Sequence, residues 1–209
     1  MRIAILLYPE FTTLDAVGPY EVLSRLPGAE VVFTAAERGP VRNDVHSLAI
    51  TADAALDEVD SADLLLVPGG PGTQAQLTDR AVLDWVRRID ATTTWTTSVC
   101  SGSLILGAAG LLEGRRATSH WGVLDRLPGY GAEPTGTERV VIDGKYAIAA
   151  GVSAGIDLAL TLAGRIAGDT VAQAIQLLIE YDPQPPYDSG ALAKASPEVV
   201  EAVNRLMRG

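Results

Sequence analysis

The stretch TTTWTTSVCSGSLILGAAGLL, residues 92–112, decides the fold because it changes from strand-like to helix-like sequence at one point. Thr94 to Val99 is rich in β-branched and aromatic residues and carries no charge, which is typical of a strand buried on both faces of a parallel sheet. Ser103 to Ala109 predicts a short apolar helix. The chain must therefore turn sharply at Cys100, the single cysteine of the sequence.

A sharp turn from strand to helix holds its central side chain at the carboxyl end of the sheet, as a nucleophile elbow does for serine. The N-terminus of the following helix carries unpaired N–H groups and about half a positive charge, which favours a thiolate over a thiol. We therefore expect Cys100 to be reactive and to have a lowered pKa. The alternative is a cysteine that only fills core volume, but Ser101 and Gly102 place Cys100 between two elements rather than inside one.

Length and composition limit the possible functions. The 209 residues are enough for one sizeable core, and we expect a single domain over residues 1–209. A formal net charge of -10 argues against nucleic acid as a partner, because nucleic-acid binders need basic patches. The sequence has no apolar run of the roughly 20 residues that span a bilayer and no signal-peptide cleavage site. We expect a cytoplasmic protein without a membrane partner.

The same counts argue against a metal centre. One cysteine excludes an internal disulfide, and the two histidines, His46 and His120, form no metal-ligand cluster of known spacing. His120 follows the central stretch and is either a satisfied core histidine or a partner of the sulfur; the local sequence does not choose between them. We expect no bound metal.

Outside the central stretch, predicted strands alternate with predicted helices. The predicted strands before it are Arg2–Tyr8, Glu30–Ala36 and Asp63–Val67, and residues 41–51 are predicted to form a small hairpin. Two helices are also predicted before it, a short one capped by Asp53 that ends at Val59 and one capped by Thr78 that ends at Asp90. After it come a helix ending near Leu127, a hairpin of Glu138–Ile142 and Lys145–Ala149, helices Ile156–Ile166 and Thr170–Glu180, an extended arm over 182–189, and a final helix opened by Ser196-Pro197. This alternation predicts an α/β sandwich with a mostly parallel sheet.

Two segments are candidates to lie beside Cys100. Asp15 lies near the start of a helix, since Pro19 is tolerated only in a first turn or at a kink. Its apolar neighbours indicate a buried carboxyl, although a helix cap or a surface acid is equally compatible with the local sequence.

The Gly-rich loop 68–72 matches the dinucleotide fingerprint only loosely, and no acidic residue closes the next strand, so we expect no nucleotide cofactor.

Four segments together resemble the ThiJ/PfpI superfamily. They are LLYPEFTTLDAVGPYEVL (6–23), DLLLVPGGPGTQ (63–74), SVCSGSLILGAAGLLEGRRATSHW (98–121) and AAGVSAGIDLAL (149–160). The resemblance implies a flavodoxin-like three-layer sandwich, with helices on both faces of the sheet and a cysteine nucleophile elbow. It also implies a homodimer, for which the proline-rich arm Pro183–Pro186 is suited to lie across a neighbour.

Within the superfamily, TLDAVGPYEV combined with VCSGS and ATSHW most resembles the isocyanide hydratase branch. The resemblance implies that Cys100 is the nucleophile and that Asp15 hydrogen-bonds it. Gly70 and Ser101 would present backbone N–H groups near the sulfur. The residues implied to line the pocket are His120, Trp121 and Val152. No cofactor is implied.

Other branches resemble the chain less well. Protease-like members place histidine directly after the cysteine, where this chain has Ser101, and chaperone and deglycase-like members carry Glu in place of Asp15. Class I glutamine amidotransferases need a late His-x-Glu pair, and no histidine follows His120. Regulators that contain this domain continue into a helix-turn-helix module, which we do not expect here. Ser101 departs from the threonine that isocyanide hydratases often carry, which leaves the substrate open.

The implied reaction adds water to an isocyanide and gives an N-substituted formamide. A Cys100 thiolate would attack the terminal carbon, Asp15 would protonate it to a thioimidate, and water would then release the formamide. One alternative is a non-catalytic redox or ligand sensor in which Cys100 is oxidised. Another is a hydrolase of a different small electrophile, such as an amide or a 2-oxoaldehyde.

Overall fold

A computed structural model of the protein describes residues 1–206. Its strands are β1 (Arg2–Leu6), β2 (Glu30–Ala35), β3 (Gly39–Arg42), β4 (Ala49–Ala52), β5 (Ala54–Ala55), β6 (Leu64–Val67), β7 (Trp95–Val99), β8 (Arg116–Ala117), β9 (Glu133–Pro134), β10 (Val140–Asp143) and β11 (Tyr146–Ala149). Its α-helices are α1 (Thr13–Leu23), α2 (Thr73–Gln76), α3 (Arg80–Asp90), α4 (Gly102–Ala108), α5 (Ala154–Ala167), α6 (Asp169–Leu178) and α7 (Pro197–Leu206). Short 3-10 turns cover Leu56–Glu58, Leu124–Tyr130 and Leu192–Lys194.

Residues 1–179 form one compact unit built on a mostly parallel sheet. The strand order is β10-β11-β7-β6-β1-β2-β5, and every neighbouring pair is parallel except the β10–β11 hairpin. Helix α1 packs on α5 and α5 on α6, whereas α3 packs on α4. The predicted α/β sandwich with a flavodoxin-like arrangement is confirmed.

The central strands form because their side chains are apolar on both faces. All four residues of β6 are buried, as are the last four of β1, so helices must cover both sides of the sheet. Parallel strands place their carboxyl ends at one edge. The loops that follow β1, β6 and β7 therefore meet at that edge, and they carry the candidate site.

Three local predictions are wrong in detail. Asp53 does not cap a helix, because Ala54 and Ala55 pair in parallel with β2 and the Asp53 carboxylate accepts the Phe33 N–H at 3.1 Å. The cap of α3 is Asp79 rather than Thr78, since its carboxylate accepts the N–H groups of two first-turn residues. The segment that ends near Leu127 is a 3-10 turn over Leu124–Tyr130 rather than an α-helix.

Other local predictions are confirmed. Strands β3 and β4 pair as the small hairpin, and β10 and β11 pair around Gly144, whose φ of 60° is the left-handed conformation that the turn needs. Helix α1 starts two residues before Asp15 and continues through Pro19.

Residues 180–206 belong to a second unit. Residues 182–189 contain no helix or strand, as predicted for an arm, and α7 begins at Pro197. The prediction of one domain over residues 1–209 stays a prediction. Within residues 1–206, no helix is both long and apolar enough to cross a membrane.

Candidate active site

Cys100 occupies a strained turn at the carboxyl end of β7. Its φ is 59°, a conformation that is uncommon for any residue with a side chain. The turn is fixed on both sides, because the Cys100 N–H donates to the Ala150 carbonyl at 2.8 Å and the Cys100 carbonyl accepts the Ser119 hydroxyl at 3.0 Å. The surrounding structure thus maintains the strain, as it does in a nucleophile elbow.

The Gly-rich loop packs directly against this turn. A Cβ atom on Gly69 would lie 2.5 Å from the Ser101 nitrogen and 2.9 Å from the Cys100 Cβ. A Cβ on Gly102 would lie 2.2 Å from the Val67 carbonyl oxygen. Only glycine fits at both positions, so the loop and the elbow meet backbone to backbone.

Asp15 reaches the site from the first turn of α1. Its side chain is fully buried, and Oδ2 accepts the Gly69 N–H at 2.9 Å. Oδ1 has no hydrogen bond of good geometry among residues 1–206, yet Asp15 and Cys100 each perturb the pKa of the other, which places the thiol beside the carboxyl. Asp15 is therefore neither a surface acid nor the cap of α1, whose N-cap is Thr12.

The surroundings of Asp15 favour its protonated form. The pKa of Asp15 is raised from 3.8 to about 7, chiefly by burial and to a smaller extent by the negative charge of Asp44. The Gly69 N–H and the Cys100 thiol act in the opposite direction because they stabilise the carboxylate. A carboxyl with this pKa can both accept and donate a proton near neutral pH.

The expectation of a lowered thiol pKa is wrong for this structure. Burial, followed by the charge of Asp15, raises the pKa of Cys100 to about 12. The backbone N–H groups of Val152 and Ser101 lower it but do not compensate. The physical reason is that Cys100 is only 7% exposed, so loss of hydration outweighs the field of a helix as short as α4.

The backbone donors at the sulfur differ in part from those predicted. Ser101 presents its N–H to the thiol as expected, and the second donor is Val152, which was predicted only as a pocket residue. The Gly70 N–H donates instead to the Ser101 hydroxyl at 3.0 Å. A role for Gly70 toward a substrate stays a prediction.

His120 lies next to the donor at Val152. A Cβ on Gly151 would lie 2.8 Å from His120 Cδ2, so the imidazole packs on the residue before Val152. His120 Nδ1 accepts the Gly122 N–H at 3.1 Å, and burial lowers the pKa of His120, which leaves a neutral ring with its proton on Nε2. The ring of Trp121 lies 5.3 Å from that of His120. Their pocket roles stay predictions.

Sequence reasoning missed three parts of the site. The donor to Asp15 is Gly69, for which no role was predicted, and the hydroxyls of Tyr8 and Thr73 connect to Ser101 behind the elbow. These contacts join segments that are distant in the chain, so no local pattern identifies them. The part of the chain that the structure describes contains no cluster of three or more His, Cys, Asp or Glu side chains that could hold a metal.

Known proteins resemble this chain over most of its length. Residues 1–165 match the DJ-1/PfpI family. The isonitrile hydratase of Pseudomonas putida is 42% identical over 205 residues, which cover 98% of this chain and 89% of that protein. The deglycase PfpI of Pyrococcus furiosus is 30% identical over 148 residues, 70% of this chain and 87% of that protein.

The solved structures agree. A ThiJ/PfpI family protein from Pseudomonas syringae is 41% identical, with a TM-score of 0.94 over 99% of this chain and 86% of that one. DJ-1beta of Drosophila melanogaster, at 21% identity and a TM-score of 0.79, covers 87% of this chain and 98% of its own and shares the fold. From the matched residues, the sheet and the cysteine elbow, this chain belongs to the DJ-1/PfpI family.

Proposed function

We propose that this protein is an isonitrile (isocyanide) hydratase, which converts an isocyanide and water into an N-substituted formamide. The observation that carries the proposal is the pairing of Cys100 at a strained elbow with a buried Asp15 whose pKa is about 7. An isocyanide carbon must gain both a nucleophile and a proton, and this pair supplies both. The 42% identity to the Pseudomonas putida isonitrile hydratase supports the same reaction.

The proposed first step begins from a thiol and a carboxylate, because the pKa of Cys100, about 12, lies well above the pKa of Asp15, about 7. Asp15 takes the thiol proton while a sulfur electron pair forms a bond to the terminal carbon of the isocyanide. Asp15 then gives the proton to that carbon. The product is a thioimidate, R–N=CH–S–Cys100, with no net change in protons.

In the proposed second step, Asp15 accepts a proton from water as the water oxygen bonds to the thioimidate carbon, and Asp15 passes that proton to the nitrogen, which gives R–NH–CH(OH)–S–Cys100. The C–S bond then breaks, its electron pair returns to sulfur, the hydroxyl proton passes through Asp15 to the sulfur to restore the thiol, and R–NH–CHO leaves. The N–H groups of Ser101 and Val152 lie where they stabilise negative charge on the departing sulfur. One isocyanide and one water give one formamide.

The test is turnover of a simple alkyl or aryl isocyanide, with the formamide proton followed by NMR. The wild-type protein is expected to form formamide, and acid quenching is expected to trap an adduct on Cys100 with the mass of the isocyanide. Because Cys100 is the single cysteine, the Cys100→Ala variant controls for both signals. Absence of formamide from correctly folded wild-type protein would overturn the proposal.

A second candidate is a hydrolase of another small electrophile, which the 30% identity to the deglycase PfpI supports. A 2-oxoaldehyde tested in parallel distinguishes the two, since the proposed hydratase should consume the isocyanide and not the aldehyde. The redox-sensor alternative is less favoured. Oxidation follows thiolate character and exposure, and Cys100 is buried with a raised pKa.

We also propose that two copies of the chain form a homodimer. Leu177 and Leu178 support an interface on α6, since they are 80% and 69% exposed. Light scattering at micromolar concentration is expected to give twice the chain mass of 21.9 kDa. Replacing both leucines with serine should shift the mass toward the monomer, whereas a monomeric wild-type protein would contradict the proposal.

A further inference from the structure

A chain of hydroxyl groups runs behind the elbow and returns to its starting loop. The Gly70 N–H donates to Ser101 Oγ at 3.0 Å, and Ser101 Oγ lies 2.8 Å from Thr73 Oγ1. Thr73 Oγ1 lies 3.0 Å from the Tyr8 hydroxyl, which donates to the Pro68 carbonyl at 2.7 Å. Both ends of this hydrogen-bonded series, which we call the circuit, therefore lie on the loop that begins at Pro68.

The direction of every hydrogen bond in this chain is determined. A carbonyl cannot donate, so the single Tyr8 proton goes to Pro68, and Thr73 must then donate to Tyr8. Thr73 has no second proton, so Ser101 donates to Thr73. Burial raises the pKa of Tyr8 well above 10.0, which keeps that donor protonated. All of these hydrogen bonds form together in one arrangement only, and the Ser101 hydroxyl has a second, longer acceptor in the Gly70 carbonyl at 3.4 Å.

We propose that the hydroxyls of Tyr8, Thr73 and Ser101 are positioning groups that hold the loop at Pro68–Gly70 against the elbow and thereby hold the Gly69 N–H on Asp15. The argument is geometric. Gly69 lies between the two loop residues that the circuit ties down, and its N–H is 2.9 Å from Asp15 Oδ2. The proposal concerns the site itself and does not depend on which electrophile is the substrate.

Loosening the loop has a predictable sign. The Gly69 hydrogen bond stabilises the carboxylate, so weakening it raises the pKa of Asp15. The other titratable groups that act on Asp15 are the Cys100 thiol, the Asp44 carboxylate and the Tyr8 phenol. Removing a neutral hydroxyl at Thr73 changes none of these charges, so a shift would report the position of the loop.

The test uses the single cysteine as the probe. The rate of Cys100 alkylation by iodoacetamide is measured by mass spectrometry over about pH 5 to 10, a range that contains the expected titration of Asp15. An inflection near the pKa of about 7 is expected in the wild type and is assigned by its loss in Asp15→Asn. In Thr73→Val it is expected to move upward by about half a pH unit or more, because a hydrogen bond to the charged form is weakened.

Matched variants distinguish the effect of losing a hydroxyl group from the effect of changing the side-chain shape. Thr73→Ser keeps the hydroxyl and should retain the wild-type inflection, whereas Tyr8→Phe breaks the circuit one link away and should move it as Thr73→Val does. Thr34→Val is the control for loss of a buried hydroxyl outside the circuit, since Thr34 Oγ1 has no hydrogen-bond partner in the described part of the chain. It should change nothing.

Each result decides the proposal. An unchanged inflection in folded Thr73→Val or Tyr8→Phe would overturn it, as would an equal shift in Thr73→Ser or Thr34→Val. If either circuit-breaking variant does not fold, the other decides alone. The assay needs no isocyanide, so this proposal and the proposed hydratase function fail separately.

Discussion

Two buried aspartates at opposite edges of the same sheet have very different partners. Asp90 ends α3 near the amino ends of β7 and β11, where it accepts the Thr96 hydroxyl at 2.6 Å and pairs with Lys145 Nζ at 3.0 Å. Asp15, at the carboxyl edge, accepts one backbone hydrogen bond at 2.9 Å from Gly69. Its second oxygen has no well-formed hydrogen bond within residues 1–206, and no basic group figures among the causes of its pKa shift.

The comparison teaches how one residue type serves two purposes. A carboxylate with a cation and two hydroxyl donors holds separate elements of the fold together. A carboxyl that is buried without a counter-charge keeps its proton to near-neutral pH, where it can transfer it, at some cost in stability. Asp90 corresponds to the first case and Asp15 to the second.

The largest expected effect is at the partner of Asp15. Cys100→Ala should abolish isocyanide hydration, and Cys100→Ser should leave little, because a serine hydroxyl is a far poorer nucleophile with only a carboxyl beside it. Formamide release followed by NMR measures the loss, and thermal melting should show a retained fold. A Cys100→Ala rate near wild type would exclude the covalent mechanism.

Next in size is the contrast between the two aspartates in activity. Asp15→Asn should lower turnover by about 10²-fold or more, the usual scale of a lost general acid–base, and Asp15→Glu should retain part of the rate. Asp90→Asn should leave turnover near wild type, since it lies at the other edge of the sheet. The contrast fails if Asp15→Asn keeps full turnover between about pH 6 and 8; His120 would then be the next candidate for the proton donor.

The same pair should show the opposite order in stability. Asp90→Asn leaves Lys145 without its counter-charge and weakens the bonds from Thr96 and Tyr146, so unfolding free energy should fall by about 1–3 kcal/mol. Urea unfolding at neutral pH measures this. A value equal to wild type would show that the Asp90 cluster contributes no stability.

The last expected effect has the opposite sign, because it is a gain in stability. The pKa of Asp15 rises from 3.8 when unfolded to about 7 when folded, so folding retains a proton and wild-type stability falls as the pH rises between these values. Asparagine cannot ionise, so the unfolding free energy of Asp15→Asn should exceed that of the wild type by at most about 4 kcal/mol above pH 7. The two unfolding free energies should converge by about pH 4. Melting curves at several pH values check the sign; a destabilised variant at high pH would contradict it.

The sequence predicts the elbow well because both of its elements are encoded locally. The β-branched run of β7 and the apolar helix α4 lie on either side of Cys100, and no distant partner is needed to recognise them. Asp15 could be proposed as buried for the same reason, from its apolar neighbours. The predicted cap at Asp53 failed because parallel pairing with β2 outweighed the local helix signal.

What the sequence could not predict depends on tertiary packing. The direction of the thiol pKa depends on how completely other segments cover Cys100, and that burial outweighs the helix field that local sequence reveals. The donors at Gly69 and Val152 come from loops after β6 and β11, so only the sheet order brings the first to Asp15 and the second to the sulfur.

Sheet order also has a consequence for how the protein folds. Strand β6 lies between β1 and β7, so helix α1, which bears Asp15, and the turn at Cys100 meet only across a third strand. The Gly69–Asp15 contact joins residues 54 positions apart. Contacts of such long sequence separation form late, because loop closure must precede them. Protection of Cys100 from a thiol reagent during refolding should therefore appear with the final kinetic phase, and the cysteine becomes a built-in reporter of completed folding.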